Sequence, residues 1–267
     1  MTNQYVSPHI LSIGECRFKL SSANKELVAD TEAVFVKAAI SQEPYILIDL
    51  DSPSPFVVSG HPELTDSSVD TIKRVILTAQ SLHQQKYICI EACYLVTPNQ
   101  KLVLIAGASF RGKSTLTAAL TWQRGWRFIS EDLVFFDMEH DRTISFVCPL
   151  SLRRQTPEMI AAATGIEPEP LLYGRWLVRP DLFCLEAVSS RPDILVCLEG
   201  IRETKPLTAE PLARSACLEK LIALGNWLTI PQAPDYLWET LAKTDCWTFT
   251  AGSLTERRDR LIELVER

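Results

Sequence analysis

The sequence predicts an α/β fold in which a mixed sheet with flanking helices surrounds a glycine-rich loop, preceded by a small β-rich unit. Two observations predict the main part. Residues 107–115 (GASFRGKST) lie between an apolar run and a helical pattern. The elements around them follow the order β-β-loop-α-β-β-β, which is not the strict β-α alternation of a dinucleotide-binding sheet. Short alternating runs before residue 50 predict the N-terminal unit.

Composition and charge limit the classes of protein that fit. The chain has 267 residues, of which 46% are hydrophobic and 22% charged, as in an ordinary globular protein. A formal net charge of -6 argues against non-specific binding to nucleic acid or anionic membranes. There is no apolar run of about 18 residues, and residues 1–14 lack the basic and apolar regions of a signal peptide. We therefore expect a cytoplasmic protein with neither nucleic acid nor membrane as a partner.

The eight cysteines are dispersed and mostly flanked by apolar residues. No C-x-x-C occurs, and no Cys/His spacing suggests a zinc site. These cysteines are expected to be reduced, buried thiols that act as small hydrophobic side chains.

The N-terminal pattern predicts a small sheet followed by a helix. Brief apolar or alternating runs predict strands near residues 10–14, 16–20, 33–40 and 45–50. Residues 51–70 are rich in proline and serine, which predicts a loop, and an apolar period near 3.6 residues predicts a helix over residues 67–85. We assign residues 1–85 to a small β-rich N-terminal subdomain with a linking helix, and residues 86–267 to the domain that carries the loop.

The second domain is expected to begin with a hairpin. Residues 87–96 and 102–106 predict its strands, and Gly125 is placed to end the helix that follows the loop. Further strands are predicted near residues 126–129, 133–136, 144–147, 193–198, 205–209 and 246–250, and further helices near 157–163, 213–228, 235–242 and 254–265. The last helix has a charged face, which i,i+4 pairs explain as a solvated surface.

The loop fits the P-loop pattern G-x-x-x-x-G-K-[ST] in the strand-to-helix context that this motif requires. Its glycines let backbone N–H groups turn inward around a polyphosphate, and the helix N-terminus adds a favourable dipole. Lys113 would reach the β- and γ-phosphates of ATP, and the Ser114 hydroxyl would ligate Mg²⁺. The expected ATP contacts are Gly107, Ala108, Ser109, Phe110, Arg111, Gly112, Lys113, Ser114 and Thr115. Phe110 and Arg111 make this loop bulkier than average.

A pair of carboxylates follows the next predicted strand, in FISEDLVFF. Two adjacent acidic residues at a strand end point in different directions, so one can hold Mg²⁺ while the other accepts a proton from an attacking hydroxyl. We assign Asp132, with Ser114, to the metal, although the sequence does not decide how Glu131 and Asp132 divide the two roles. Lys113, Glu131 and Asp132 are the candidate catalytic residues.

The order GASFRGKST, helix, RGWRFISEDLVFF resembles the C-terminal kinase domain of HPr kinase/phosphorylase and its small relatives, whose nucleotide-binding core is shared with ATP-dependent phosphoenolpyruvate carboxykinase. In that family the helix is followed by an Arg-Gly or similar pair and by a strand that ends in two aspartates. Arg124 and Gly125 match the pair, and Glu131 replaces the first aspartate. The similarity covers residues 87–154, and beyond it only the order of elements agrees.

Three residues outside the loop are further candidates. CPLSLR resembles the proline-plus-basic segment of the small relatives, and the guanidinium groups of Arg153 and Arg154 could bind a phosphate. The family often has a histidine on the strand before the loop, where this chain has Glu91. Glu91 is either a substituted active-site group or an outward-facing strand residue.

The resemblance implies a kinase that uses ATP and Mg²⁺ to phosphorylate a hydroxyl, Ser or Thr of a small protein or peptide. It also implies assembly as a homo-oligomer, although no sequence seam demands one. The glycine-rich motif of genuine HPr kinases is missing, which argues against HPr as substrate and against phosphorylase activity. Two alternatives stay open: a degenerate nucleotide-binding module that regulates a partner, and a small-molecule kinase. The chain is too short for a carboxykinase.

Overall fold

The N-terminal residues form a four-stranded sheet in the computed structural model, which describes residues 5–35, 37, 46–51, 67–152, 155–166, 176–177, 182–184, 188–200 and 205–267. Its elements are β1 (Tyr5–Val6), β2 (Leu11–Ile13), β3 (Cys16–Ser22), α1 (Lys25–Glu32) and β4 (Ile46–Asp49). Strand β3 pairs antiparallel with β1 and β2 and parallel with β4. The predicted small sheet is therefore present.

Helix α1 was not expected from the sequence pattern. Asn24 begins it, because its side chain accepts hydrogen bonds from the backbone N–H groups of Glu26 and Leu27. The strand predicted over residues 33–40 is wrong at its start, since residues 33–35 form a turn bonded back onto α1. Residues 36 and 38–40 lie outside the described part, as do residues 52–66 of the predicted loop.

Helix α2 (Ser67–Lys86) follows and packs on the small sheet and on the main sheet. Its His83 is buried, with Nδ1 2.7 Å from Ala79 O and Nε2 accepting from Glu15 N at 3.1 Å. The proton therefore sits on Nδ1, and burial lowers the pKa of His83. Gly14 has a φ of 57°, and a Cβ there would collide with the imidazole, so this turn requires glycine. The domain boundary near residue 86 stays a prediction.

The remaining elements build a larger mixed sheet, a separate two-stranded sheet, and the helices around them. They are β5 (Ile88–Val96), β6 (Leu102–Ala106), α3 (Lys113–Arg124), β7 (Arg127–Ser130), β8 (Leu133–Asp137), β9 (Arg142–Ile144), β10 (Leu150–Ser151), α4 (Thr156–Thr164), β11 (Trp176–Leu177), β12 (Val188–Ser189), β13 (Ile194–Glu199), β14 (Thr208–Pro211), α5 (Arg214–Ile222), α6 (Ala233–Thr240), β15 (Asp245–Thr250) and α7 (Leu254–Glu266). Strands β10 and β11 form the two-stranded sheet, and short 3-10 turns cover Trp227–Thr229 and Leu241–Lys243. The predicted hairpin and the order β-β-loop-α-β-β-β are confirmed.

Within the described ranges, the main sheet has nine strands in the order β12-β9-β8-β5-β6-β13-β15-β14, and β7 also pairs with β5. Strands β6, β13 and β15 run parallel, whereas β5 pairs antiparallel with β6, β7 and β8. The carboxyl ends of β6, β13 and β15 therefore meet at one edge of the sheet. The predicted mixed sheet with flanking helices is confirmed.

The described residues form three apolar cores: two lie on opposite faces of this sheet, and the third joins the N-terminal sheet and α2 to β5, β8 and β9. Helices α3, α4 and α7 pack on one face, and α5 and α6 pack on the other. Alternate residues of β5, β6 and β13 point into the cores on the two faces, as the strand period of two requires. Seven of the eight cysteines are buried, Cys16 being half-buried, and all are free. No helix in the described part of the chain is long and apolar enough to cross a membrane.

Several predicted boundaries move by two or three residues, and one helix is much shorter than predicted. Helix α5 ends at Ile222 because the chain then pairs with β5: Glu91 N donates to Leu224 O at 2.8 Å, and Gly225 bridges to Ile90. This tertiary pairing overrides the local helical pattern.

Candidate functional site

The loop at residues 107–112 connects the carboxyl end of β6 to the first turn of α3. Gly107 lies so close to β13 that a Cβ would sit 2.9 Å from Leu198 O. Gly112 precedes α3 with a left-handed φ of 85°. Both positions need glycine, the first for close approach and the second for its backbone conformation. The loop ends at the N-terminus of α3, and a helix N-terminus is a site suited to anions.

Lys113 is the first residue of α3, and only 5% of its surface is exposed. Its Nζ donates to Gly107 O at 2.6 Å and to Ala108 O at 3.3 Å. The ammonium therefore lies under the loop, held by the loop's own carbonyl groups. An anion above the loop would meet a cation that is already desolvated and positioned.

Glu131 approaches the loop from the neighbouring strands. It follows β7, is 4% exposed, and accepts a hydrogen bond from Ser114 Oγ at 2.5 Å. Burial raises the pKa of Glu131 well above its usual value, and the charge of Asp132 raises it further, while Ser114 and Lys113 act in the opposite direction. Of the two acidic residues, Glu131 thus contacts the serine that the sequence assigned to the metal.

Asp132 has a different environment from its neighbour. Its φ is 67°, so it adopts the left-handed conformation that aspartate tolerates better than most residues. Its carbonyl accepts from Ala92 N at 3.1 Å, which fixes the turn to β5, and the residue as a whole is exposed although its carboxyl group is partly desolvated. Desolvation raises the pKa of Asp132, Lys113 lowers it, and Glu91 raises it. Asp132 is therefore the carboxylate of the pair that a second reactant can reach.

Glu91 lies on β5 beside the loop. It is half-buried, and its Oε2 accepts a hydrogen bond from Ser109 Oγ at 3.4 Å. Its carbonyl accepts from Gly107 N at 3.4 Å. Of the two interpretations of Glu91, this position favours the site residue over the outward-facing strand residue.

Phe110 and Arg111 form the exposed crest of the loop. Phe110 has a φ of 67° and is 74% exposed, an unusual combination for a large aromatic side chain. The Arg111 side chain is also exposed. Ala108 and Ser109 are exposed beside them, and Thr115 is half-buried in the first turn of α3.

A metal site made of protein side chains alone is not present among the described residues, where no group of three or more His, Cys, Asp or Glu side chains could hold an ion. Mg²⁺, however, is commonly held by one or two protein ligands together with substrate phosphates and waters. Ser114 keeps its oxygen lone pairs while it donates a hydrogen bond to Glu131. Its hydroxyl oxygen and the Glu131 carboxylate are therefore two protein ligands of that kind. The residues present therefore fit Mg²⁺ bound with a polyphosphate.

Arg257 is a site-supporting residue that the sequence pattern did not reveal. It lies on α7 and is 5% exposed. Its guanidinium donates to Ala251 O at 2.7 Å, to Gly200 O at 2.7 Å and to Arg111 O at 3.2 Å. These bonds join the loop to the ends of β13 and β15.

The prediction that the charged face of the last helix is solvated is therefore wrong at two of its arginines. Arg257 and Arg258 are both buried, because backbone carbonyls near them need donors, and Arg258 Nη1 donates to Ala163 O. The i,i+4 pattern of charges gives no signal for such distant partners. Arg153 and Arg154, the other predicted phosphate contacts, lie outside the described residues.

Comparisons with known proteins find a distant structural likeness but no match by sequence. No protein-family model matches the sequence, and no curated protein matches it. Among solved structures, the chain is similar to the Hpr(Ser) kinase/phosphatase from Coxiella burnetii, with 16% identity and a TM-score of 0.28 over 67% of this chain and 97% of that chain. At this level of likeness, the chemistry of the site has to be interpreted from its own residues.

Proposed function

We propose that this chain is a kinase that uses ATP and Mg²⁺ to phosphorylate a hydroxyl group. The observation that carries the proposal is the hydrogen bond of 2.5 Å from Ser114 Oγ to Glu131 Oε1, next to the buried ammonium of Lys113. This hydrogen bond joins the loop to the acidic residues at the end of β7. Phosphoryl transfer requires both a phosphate-binding loop and nearby carboxylates.

The loop would hold the polyphosphate through its backbone N–H groups. Lys113 would turn from Gly107 O and Ala108 O toward the β- and γ-phosphate oxygens. Its positive charge then offsets the charge that spreads over the transferred group in a loose transition state.

Ser114 and Glu131 would hold Mg²⁺, which when bound neutralises phosphate charge and orients the β- and γ-oxygens. This reverses the assignment of Asp132 to the metal, because Glu131 is the carboxylate bonded to Ser114. A cation beside Glu131 would also favour the ionised carboxylate, against the effect of burial.

Asp132 would position and deprotonate the acceptor hydroxyl. The acceptor oxygen forms a bond to the γ-phosphorus, the bond from that phosphorus to the β,γ-bridging oxygen breaks, and the acceptor proton passes to the Asp132 carboxylate. The exposure of Asp132 and its raised pKa support this role. The acceptor class, Ser or Thr of a small protein or peptide, rests on the resemblance of GASFRGKST and RGWRFISEDLVFF to HPr kinase-like domains.

A nucleotide-responsive binding module is the second candidate. Phe110 favours it, because a large exposed aromatic side chain on the loop offers a contact surface that bound nucleotide would alter. This function needs ATP binding but no turnover.

Label transfer from γ-³²P-ATP with Mg²⁺ to a library of Ser- and Thr-containing peptides, small proteins and small-molecule alcohols tests the proposal. We expect labelled hydroxyl acceptors with the wild-type chain and none with Asp132→Asn. Tight ATP binding without transfer to any acceptor would contradict the kinase proposal and support the binding module. Label found only on small molecules would instead contradict the protein acceptor.

A further inference from the structure

A cavity of about 290 Å³ opens beside the loop. Glu199, Gly200, Lys205, Thr250 and Ala251 line it. These residues end or follow β13 and β15 or precede β14, so the cavity lies at the same edge of the sheet as the loop. Its volume is close to the lower end, roughly 300 Å³, of small-molecule pockets. It has room for one ring system but not for a whole nucleoside triphosphate.

Two sets of contacts connect this cavity to the loop. Gly107 packs against the Leu198 carbonyl, one residue before the lining residue Glu199. Arg257 donates to the carbonyls of Gly200 and Ala251, which line the cavity, and to that of Arg111 in the loop. A single side chain therefore spans from the cavity wall to the phosphate loop.

The cavity and the acidic pair lie on opposite sides of β6. Strand β13 is one neighbour of β6 and leads into the cavity, whereas β5 is the other neighbour and pairs with the strands that flank Glu131 and Asp132. A polyphosphate lying across the loop with its terminal phosphate near Asp132 would have its other end directed toward β13.

We propose that this cavity binds the nucleobase and ribose end of the nucleotide, an inference that rests on the proposed function. The lining offers the groups that such a ligand uses. Glu199, whose Oε1 already accepts from Lys220 Nζ, has a second carboxylate oxygen that can accept from ribose hydroxyls or base N–H groups. Thr250 can donate or accept, and Lys205 can donate. The acceptor hydroxyl cannot occupy this cavity, because it must reach the γ-phosphate from the Asp132 side for in-line displacement.

Calorimetry with Mg-ATP and with Mg-tripolyphosphate as separate probes tests this assignment. Thr250→Phe fills the cavity at an exposed strand end, and Thr255→Phe adds the same bulk at a nearby exposed position outside the lining. We expect Thr250→Phe to weaken ATP binding roughly tenfold or more while tripolyphosphate binding stays unchanged. Lys205→Ala, which adds no bulk, should weaken ATP binding by a smaller factor. Thr255→Phe should leave both ligands unaffected.

Three results would overturn the assignment and distinguish its failure from that of the proposed function. Wild-type ATP affinity in both Thr250→Phe and Lys205→Ala would show that the cavity does not bind the nucleotide. Retained tripolyphosphate binding would show in the same experiment that the phosphate site is present. Equal weakening of both ligands would show an effect through the loop rather than through a base pocket. A wild-type chain that binds neither ligand would contradict the phosphate site itself, and with it the cavity assignment.

Discussion

Ser114 donates its hydroxyl hydrogen to Glu131 Oε1 at 2.5 Å, so one hydrogen bond joins the first turn of α3 to the turn between β7 and β8. The carboxylate is buried and lies beside the charge of Asp132, and both features favour its protonated form. The site therefore holds a carboxyl group whose ionisation depends on a neighbouring cation.

The stability of Glu131→Gln relative to wild type should increase as the pH rises. The folded-state pKa of Glu131 is raised, so its stabilising contribution is complete below the unfolded-state pKa and is lost as the pH rises through the folded-state pKa. Glutamine does not titrate. The difference in free energy of unfolding should grow by about 1.4 kcal/mol per pH unit between those two pKa values.

Urea unfolding at a series of pH values without nucleotide measures this difference. Glu139→Gln, an exposed position in the turn after β8, is the matched control and should give curves parallel to wild type. A constant difference between Glu131→Gln and wild type across the pH series would contradict the raised pKa.

Asp132→Asn and Asp132→Ala should separate chemistry from backbone strain. Both should lower transfer by roughly 10²- to 10⁴-fold with ATP binding retained, because both remove the base. Only Ala should also lower the free energy of unfolding, by about 1 kcal/mol, since Asn tolerates the left-handed φ of 67°. Transfer kinetics check the loss of activity, and thermal unfolding checks the change in stability. Full transfer activity in Asp132→Asn would rule out this base.

Arg257→Ala should destabilise the protein by roughly 3 kcal/mol or more, because it leaves the carbonyls of Ala251, Gly200 and Arg111 without this donor. It should also weaken ATP binding, since the loop and the cavity lose their common support. Arg260→Ala, on the same helix but paired with Glu263 near the surface, is the control and should cost less than about 1 kcal/mol. Equal losses in the two variants, measured by urea unfolding, would contradict the supporting role of Arg257.

Phe110→Gly should raise the free energy of unfolding by roughly 0.5 kcal/mol. The left-handed φ of 67° costs a residue with a Cβ about 1–2 kcal/mol, which exceeds the entropic cost of glycine. Phe110→Ala keeps the Cβ and should show no gain, which makes it the matched control in the same urea experiment. A gain of equal size in both variants would assign the effect to the exposed ring instead of the backbone.

The parts of the fold that local patterns encode could be predicted from the sequence. The hairpin before the loop, the helix that Gly125 ends, and the strands on both sides of the acidic pair follow from apolar periods and glycine positions. The pairing of Ser114 with Glu131 instead of Asp132 could not be predicted from the sequence, because it depends on the left-handed turn at Asp132.

Contacts between distant parts of the chain were beyond the sequence pattern. Arg257 looks like one more charge on an amphipathic helix, and only the approach of Gly200 and Ala251 makes it a buried donor. The cavity is formed by the ends of strands that are about fifty residues apart along the chain. Helix α1 was missed because its short, mostly polar sequence carries little apolar periodicity, and its signal is the Asn24 cap.

The central claim is that residues 107–115 bind the phosphates of ATP through Lys113. Calorimetric titration of wild type and Lys113→Ala with ATP and Mg²⁺, with thermal unfolding to confirm that the variant is folded, tests it most directly. We predict a single Mg²⁺-dependent site in wild type and a loss of affinity of at least about 100-fold in the variant. Equal ATP affinity in the two folded proteins, or no ATP binding by wild type, would contradict the claim.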